Sequence, residues 1–373
     1  MFTTFGFAHP GLAEPRTKEE WRAYLAMEAP QCPVMPSYED YLRIPALDRE
    51  ELNDERDIYH SALELVRTQQ IRRLHAAFAR RMKVNRRQAP GARRGIVLDG
   101  PPTIGKSTLV KLFAKDFELQ LRARHPEKFS DTYEVDGYLV DYTPVVYLNI
   151  PSQATPKDLS VLLAEYLGMP MRSGATKTEV TNGLLKNLKL AGTELVIIDD
   201  VHFLDLSAKE GKVVNDHLKY LANHIAATFI YTGADLNTSG LFLEGKGSTR
   251  ATQTSGRNTL HQMRKFGTTK AEKVAWVEVV AALEGTLALY RHRQGQLAAL
   301  SPYLYERTGG SICGLSDLIR ESAIEAVTSG EEAITEELME TIQLSQMAEL
   351  AYQEAKPKQG KTRPKAQAAA SVS

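Results

Sequence analysis

Gly100-Pro101-Pro102-Thr103-Ile104-Gly105-Lys106-Ser107 decides how this chain is read. It satisfies the pattern G-x-x-x-x-G-K-[ST], which closes a strand and opens a helix around bound phosphate. The flanks agree: the apolar run Ile96-Val97-Leu98 precedes it, and Thr108-Leu-Val-Lys-Leu-Phe-Ala114 continues it with helical character. In such a loop the backbone N–H groups of Thr103–Lys106 surround an anion at a helix N-terminus, where the helix dipole favours negative charge. Gly105 brings the backbone close to phosphate with no Cβ in the way. Lys106 then bridges the β- and γ-phosphates of ATP, and the Ser107 hydroxyl holds Mg²⁺. The expected nucleotide-binding set is Gly100, Pro101, Pro102, Thr103, Ile104, Gly105, Lys106, Ser107 and Thr108. A bare Gly/Pro turn into a helix is the bland alternative.

A triphosphate site of this kind needs a carboxylate from a second strand. Leu195-Val-Ile-Ile198 is an apolar run that ends in Asp199-Asp200. Acids at the carboxyl end of a parallel strand stand where such sheets bind ligands. Asp199 is expected to hold Mg²⁺ through water, and Asp200 to polarise the attacking water. Aspartate is one methylene shorter than glutamate at that second position, which predicts slow, regulatory ATP hydrolysis. Two acids that merely cap the next helix are the competing account. His202 reads as a loop histidine rather than a base.

A third strand, Thr228-Phe-Ile-Tyr231, ends at Thr232-Gly233. The Thr232 hydroxyl is a candidate sensor of the γ-phosphate, or else an ordinary strand-end residue. A Gly/Ser/Thr-rich segment between Leu236 and Asn258 carries Arg250 and Arg257. Arg257, directly before the last strand, is the preferred candidate to reach a neighbouring subunit's ATP and neutralise transition-state charge. A solvated loop arginine explains either residue equally well.

Outward from these motifs, short apolar strands alternate with helices from residue 95: Ile96–Leu98, Val145–Ile150, Leu195–Ile198, Thr228–Tyr231 and Leu260–Met263. Helices fit from Lys106, from Pro156 behind a Thr155 cap, and over Lys177–Leu190 and Lys209–Ile225. That alternation predicts an α/β fold with a parallel sheet flanked by helices. Four segments are expected: an N-terminal helical extension over 1–60, partner-specific or loosely ordered; an ATPase domain over 61–268 that includes a basic helix at 66–94; an all-helical C-terminal lid over 269–354, divided at Gly309-Gly310; and a disordered basic tail over 355–373. In the extension, Thr17-x-x-Glu20 can form a capping box ahead of Trp21.

The 373 residues carry 46 Lys+Arg against 46 Asp+Glu, so only the distribution of charge is informative. Glu39–Asp57 holds eight acids and three arginines, and Arg67–Arg94 holds ten basic residues and no acid. Within the latter, Ile71, Leu74, Phe78 and Met82 recur at helical spacing, which turns the arginines to other faces. The basic block and the Lys356–Lys365 tail suit phosphate contacts on double-stranded DNA without sequence readout. The alternative is internal pairing of the block with the acidic stretch. Cys32 and Cys313 form no disulfide framework and no metal motif, no H-E-x-x-H or G-x-S-x-G appears, and Val274–Tyr290 is broken by Glu278 and Glu284. A cytoplasmic protein without membrane or transition-metal attachment is expected.

The phosphate loop Gly100–Thr108, the acidic strand Leu195–Asp200, the polar strand end at Thr232, an arginine before the last strand and the helical lid together resemble an AAA+ ATPase. Thr308-Gly-Gly-Ser-Ile-Cys-Gly-Leu-Ser-Asp-Leu-Ile-Arg320 and Ile198-Asp-Asp-Val-His-Phe-Leu204 narrow the resemblance, over roughly residues 60–350, to TniB/TnsC-type transposition ATPases related to MuB. The resemblance implies a homo-oligomer on DNA, with nucleotide at subunit interfaces, that marks a target site and recruits and activates a transposase. A STAND-like signalling or defence scaffold and an origin or helicase-loader ATPase are the other readings. Two departures stand out: the second acid is Asp200 rather than Glu, and no arginine occupies the first turn after Gly310, Arg320 lying farther along.

Overall fold

Every strand forecast from the alternating pattern is present in the computed structural model, which describes residues 14–63, 66–89, 91–152, 154–201, 209–236 and 258–355. In chain order the elements are α1 (Lys18–Ala26), α2 (Tyr38–Arg43), α3 (Ala46–Ser61), α4 (Gln69–Asn85), β1 (Gly95–Asp99) and α5 (Lys106–Arg124). A short hairpin follows, β2 (Glu134–Val135) and β3 (Tyr138–Leu139), then β4 (Val145–Asn149), α6 (Pro156–Tyr166), α7 (Lys177–Leu190) and β5 (Leu195–Asp199). The sheet is completed by β6 (Thr228–Gly233) and β7 (Asn258–Gln262), with α8 (Lys209–His224) leading into β6.

The main sheet runs β4-β5-β6-β1-β7, with every pairing parallel. Its inner strands β1, β5 and β6 are buried along nearly their whole length, as a sheet covered by helices on both faces requires. From β1 the chain crosses to the far edge at β4 and steps back through β5 and β6. The ends of β1, β5 and β6 therefore share one edge, where the order of strands reverses and open α/β sheets hold ligands.

The chain divides into two compact units, Met1–Gln31 with Glu64–Lys265, and Cys32–Leu63 with Phe266–Ser373. The first contains the sheet. Its core takes Trp21 and Leu25 from α1, as well as Ile71, Leu74, Phe78 and Met82 from α4. The Thr17–Glu20 capping box starts α1, and Thr155 caps α6 with Asp158 as its reciprocal partner. Two local features escaped the sequence pattern. The last strand begins at Asn258 rather than Leu260, with Met263 N–H still donating to the Asp99 carbonyl at 2.8 Å. The β2–β3 hairpin turns on Asp136-Gly137, both at positive φ (51° and 78°), the backbone pattern of a two-residue type I′ turn.

The second unit is helical, with Trp276, Val280, Leu304, Leu315, Leu318 and Ile319 buried. Its helices include Lys270–Glu284, Ser301–Thr308 and Ile312–Thr328, the last two joined through Gly309 and Gly310 at positive φ. Helix α3 is bolted into it by Arg56, which is fully buried. Arg56 Nη1 lies 3.0 Å and Nη2 2.5 Å from the two oxygens of Glu332, and Nε donates to the Ala288 carbonyl at 3.0 Å. Arg320 Nη2 donates to the Leu63 carbonyl at 2.7 Å, so this arginine holds the end of the same segment. Among the described residues no helix is long and apolar enough to cross a membrane.

Candidate functional site

The loop between β1 and α5 has a backbone that its glycines dictate. At Gly100 a Cβ would come within 2.6 Å of the Met263 carbonyl oxygen, so no larger residue fits against β7. Gly105 is the N-cap of α5 at φ +92°, and Thr103 also lies at positive φ (56°). Such alternation of handedness builds an anion-binding concavity from main-chain N–H groups. Ile104 is buried beneath the loop, while Pro101, Pro102, Thr103 and Thr108 are exposed.

Lys106 is almost completely buried and folds back on its own loop. Its ammonium donates to the carbonyls of Gly100 at 2.8 Å and Pro101 at 2.7 Å. Burial lowers its pKa, opposed by the nearby carboxylates Asp200, Asp199, Asp99 and Asp235. Four acids around one lysine leave the site with negative charge to spare, which suits an added cation.

Asp199 ends β5 with no exposed surface. Tyr147 donates to its Oδ2 at 2.6 Å, the Thr232 hydroxyl donates to Oδ1, and the Asp200 N–H donates to Oδ1 at 3.1 Å. The first turn of α5 brings Ser107 to the same carboxylate. Burial raises the Asp199 pKa, with Asp200 adding to the rise, while the bonds from Tyr147 and Ser107 oppose it. Asp200 adopts φ +57°, a left-handed conformation costing about 1 kcal/mol in a non-glycine residue. Its N–H also lies 3.4 Å from Thr232 Oγ1.

The fold thus assembles Lys106, Ser107, Asp199, Asp200 and Thr232 at one sheet edge. One hydroxyl and one carboxylate at the same edge fit Mg²⁺, which takes few protein ligands and completes its shell with water and phosphate. Arg250, Arg257, His202 and the 356–373 tail lie outside the described residues. Sequence reading missed Tyr147, taken only as part of a strand, and Asp99, whose carboxylate accepts from Leu236 N–H at 3.0 Å. The signal for Tyr147 was a lone phenol inside the otherwise apolar run Val145–Leu148.

On α4 the buried residues Ile71, Leu74, Phe78 and Met82 occupy one side. Arg72, Arg73, Arg80 and Lys83 are exposed on the opposite side, and Arg87 and Arg94 are exposed just beyond the helix. Among the described residues, none of these six side chains makes a hydrogen bond or ion pair. By contrast Arg67 pairs with Asp116 at 2.5 Å and Arg86 with Glu194 at 2.8 Å, both within the sheet-containing unit.

Comparison with known proteins follows the same lines. The family model described as "Bacterial TniB protein" matches residues 58–250. Among solved structures, the chain is similar to the Aeropyrum pernix ORC1 protein in complex with DNA, at 17% identity and TM-score 0.51, over 76% of this chain and 66% of that one. It is also similar to the Aeropyrum pernix ORC2 protein in ADPNP-ADP complexes, at 16% identity and TM-score 0.53, over 78% of this chain and 68% of that one. The chain therefore spans about two thirds of those proteins, and the shared feature is the AAA+ P-loop fold. No curated protein sequence matches it.

Proposed function

The chain belongs to the bacterial TniB family, and from that membership we propose an ATP-driven switch that assembles on double-stranded DNA and recruits and activates a transposase at the target site. The observation carrying this reading is the convergence of Lys106 and the Asp199 carboxylate at the phosphate loop, with Thr232 and Asp200 hydrogen-bonded to Asp199.

In this reading the loop N–H groups of Thr103–Lys106 take the β-phosphate of ATP. The Lys106 ammonium exchanges the Gly100 and Pro101 carbonyls for β- and γ-phosphate oxygens. Ser107 and Asp199 would hold Mg²⁺, which supplies charge neutralisation on those oxygens when bound. Asp200, set at a strained φ beside Asp199, orients the attacking water, and Thr232 reports the γ-phosphate through the same acids. Arg257, or else Arg250, is the residue proposed to reach the ATP of a neighbouring copy. Nucleotide at that interface then makes assembly depend on ATP, and hydrolysis ends it.

For DNA, the outward side of α4 supports phosphate contacts. Cations with no protein partner gain from replacing counterions on a polyanion, whereas Arg67 and Arg86 already have carboxylates. That a protein of the same fold, Aeropyrum pernix ORC1, is seen in complex with DNA adds support. The 1–60 extension and the lid boundaries at 269 and 354 remain part of this proposal, the extension as the partner-facing portion.

Electron microscopy of the full chain with duplex DNA and a non-hydrolysable ATP analogue tests the reading. Ordered assemblies are expected only with both ligands. Assemblies that form with nucleotide alone favour a protein scaffold, and none in any condition removes the switch.

A further inference from the structure

Among the described residues, Tyr147 is the one partner of Asp199 that no nucleotide-binding motif supplies. It sits on β4, where Tyr147 pairs with Ile197 and Asn149 with Asp199, so its ring is set two residues back from the catalytic edge. The hydroxyl still reaches Asp199 Oδ2 at 2.6 Å. On its other side the same hydroxyl is hydrogen-bonded to Glu14, which precedes α1.

A phenol has one proton for these two carboxylates. Lys111 resolves the conflict: its ammonium is 2.8 Å from Glu14 Oε2 and 5.6 Å from the centre of the Tyr147 ring. The ion pair with Lys111 makes Glu14 the weaker acceptor, so the phenol proton favours Asp199 while Glu14 stays within hydrogen-bond reach of the hydroxyl. The ring itself is clamped by Trp21 of α1, stacked at 6.2 Å and 13°, and Trp21 is fixed by its indole N–H bond to Glu118 at 2.8 Å.

Asp199 is held on Oδ1 by Thr232 and the Asp200 N–H. Its other oxygen has Tyr147, and the direction of the carboxylate is set by that bond. We propose that Tyr147 is a positioning residue for the magnesium-side carboxylate of Asp199, held in place by Glu14 and Trp21, so that the segment ahead of the ATPase core sets the metal affinity of the nucleotide site. The proposal rests on the reading of Asp199 as the magnesium-side acid. It assigns residues 14–26 a function inside the catalytic unit, apart from any partner they bind. Outer groups that orient a metal's ligands typically change metal affinity by about 10- to 100-fold when removed.

The test is binding of a fluorescent ATP analogue to the full chain, first in chelator and then across a Mg²⁺ titration. Tyr147→Phe keeps the ring and its stacking on Trp21. Glu14→Ala leaves the phenol but removes its outer partner. Half-saturating Mg²⁺ should rise about tenfold in Tyr147→Phe and about threefold in Glu14→Ala, with the metal-free affinity of both within about twofold of the parent. Unchanged half-saturation in Tyr147→Phe overturns the positioning role, and so does an equal loss with and without metal, which marks a purely structural tyrosine. If the parent itself binds nucleotide without regard to Mg²⁺, the assignment of Asp199 fails first and takes this proposal with it.

Discussion

The ammonium of Lys106 donates to the carbonyl of Gly100, 2.8 Å away within its own loop. The lysine is thus stored in a bent form over the concavity it serves, with Pro101 as its second acceptor. Phosphate oxygens offer the same donor a charged acceptor, so exchange is favourable once a triphosphate enters. Lys106→Ala removes that exchange. Calorimetry should register a loss of ATP affinity of at least about a hundredfold, near 2.7 kcal/mol. Undiminished affinity would show that the loop is only a turn.

Asp200 differs from Asp199 in what it touches. Asp199 has its oxygens committed to Tyr147, Thr232 and the Asp200 N–H, whereas Asp200 is turned by its positive φ out of the strand direction. Asp200→Asn preserves size and leaves the phosphate loop alone. Single-turnover assays should give unchanged ATP binding and hydrolysis slower by about a hundredfold or more, the usual yield of a positioned base. Turnover at the parent rate would move the water-orienting role to another residue.

The outward cations of α4 make a quantitative prediction about salt. Each phosphate neutralised contributes about 0.9 to the slope of log affinity against log salt. Replacing Arg73 and Arg80 with Glu should weaken duplex binding and lower that slope by about 2. The same change at Arg86, already paired with Glu194, should have a smaller effect on DNA and a larger one on melting temperature. Equal slopes for the Arg73/Arg80 variant and the parent would take the DNA surface away from α4.

His60 gives the helical unit a pH dependence. Its buried Nε2 accepts the Ala288 N–H at 3.0 Å, which requires a neutral ring, and burial together with Arg56 lowers its pKa from 6.5 to about 4. A histidine whose folded pKa is depressed adds stability that is complete above its unfolded value near 6.5 and is lost as pH falls through about 4. Asp57 works in the opposite sense: burial, with Asp54 adding, raises its pKa to about 6, so its charge costs stability as pH rises toward neutrality. His60→Gln keeps an acceptor and removes the titration. Chemical denaturation between pH 6.5 and 4 should therefore show the variant losing about 2 kcal/mol less than the parent. Parallel pH curves would exclude His60 as the acid-sensitive group.

Local chemistry was enough to find the phosphate loop, the acidic strand and the parallel sheet. Gly100, Gly105, Lys106 and Ser107 act within eight residues of one another, and an aliphatic run buried on both faces looks the same whatever surrounds it. The capping boxes at Thr17 and Thr155 are legible for the same reason, each confined to one turn. The approach of Asp199 to Lys106 was foreseeable because two separate motifs each announce half of it.

Tertiary structure alone decided which residues stand behind those motifs. Tyr147 is 52 positions from Asp199 and 133 from Glu14, and nothing in its neighbourhood along the chain marks it as more than core. Arg56 and Glu332, 276 positions apart, likewise show as two surface-type residues until the fold removes both from water. A buried charge must find its counter-charge wherever folding brings one, and that pairing follows the path of the chain through space rather than the order of its residues.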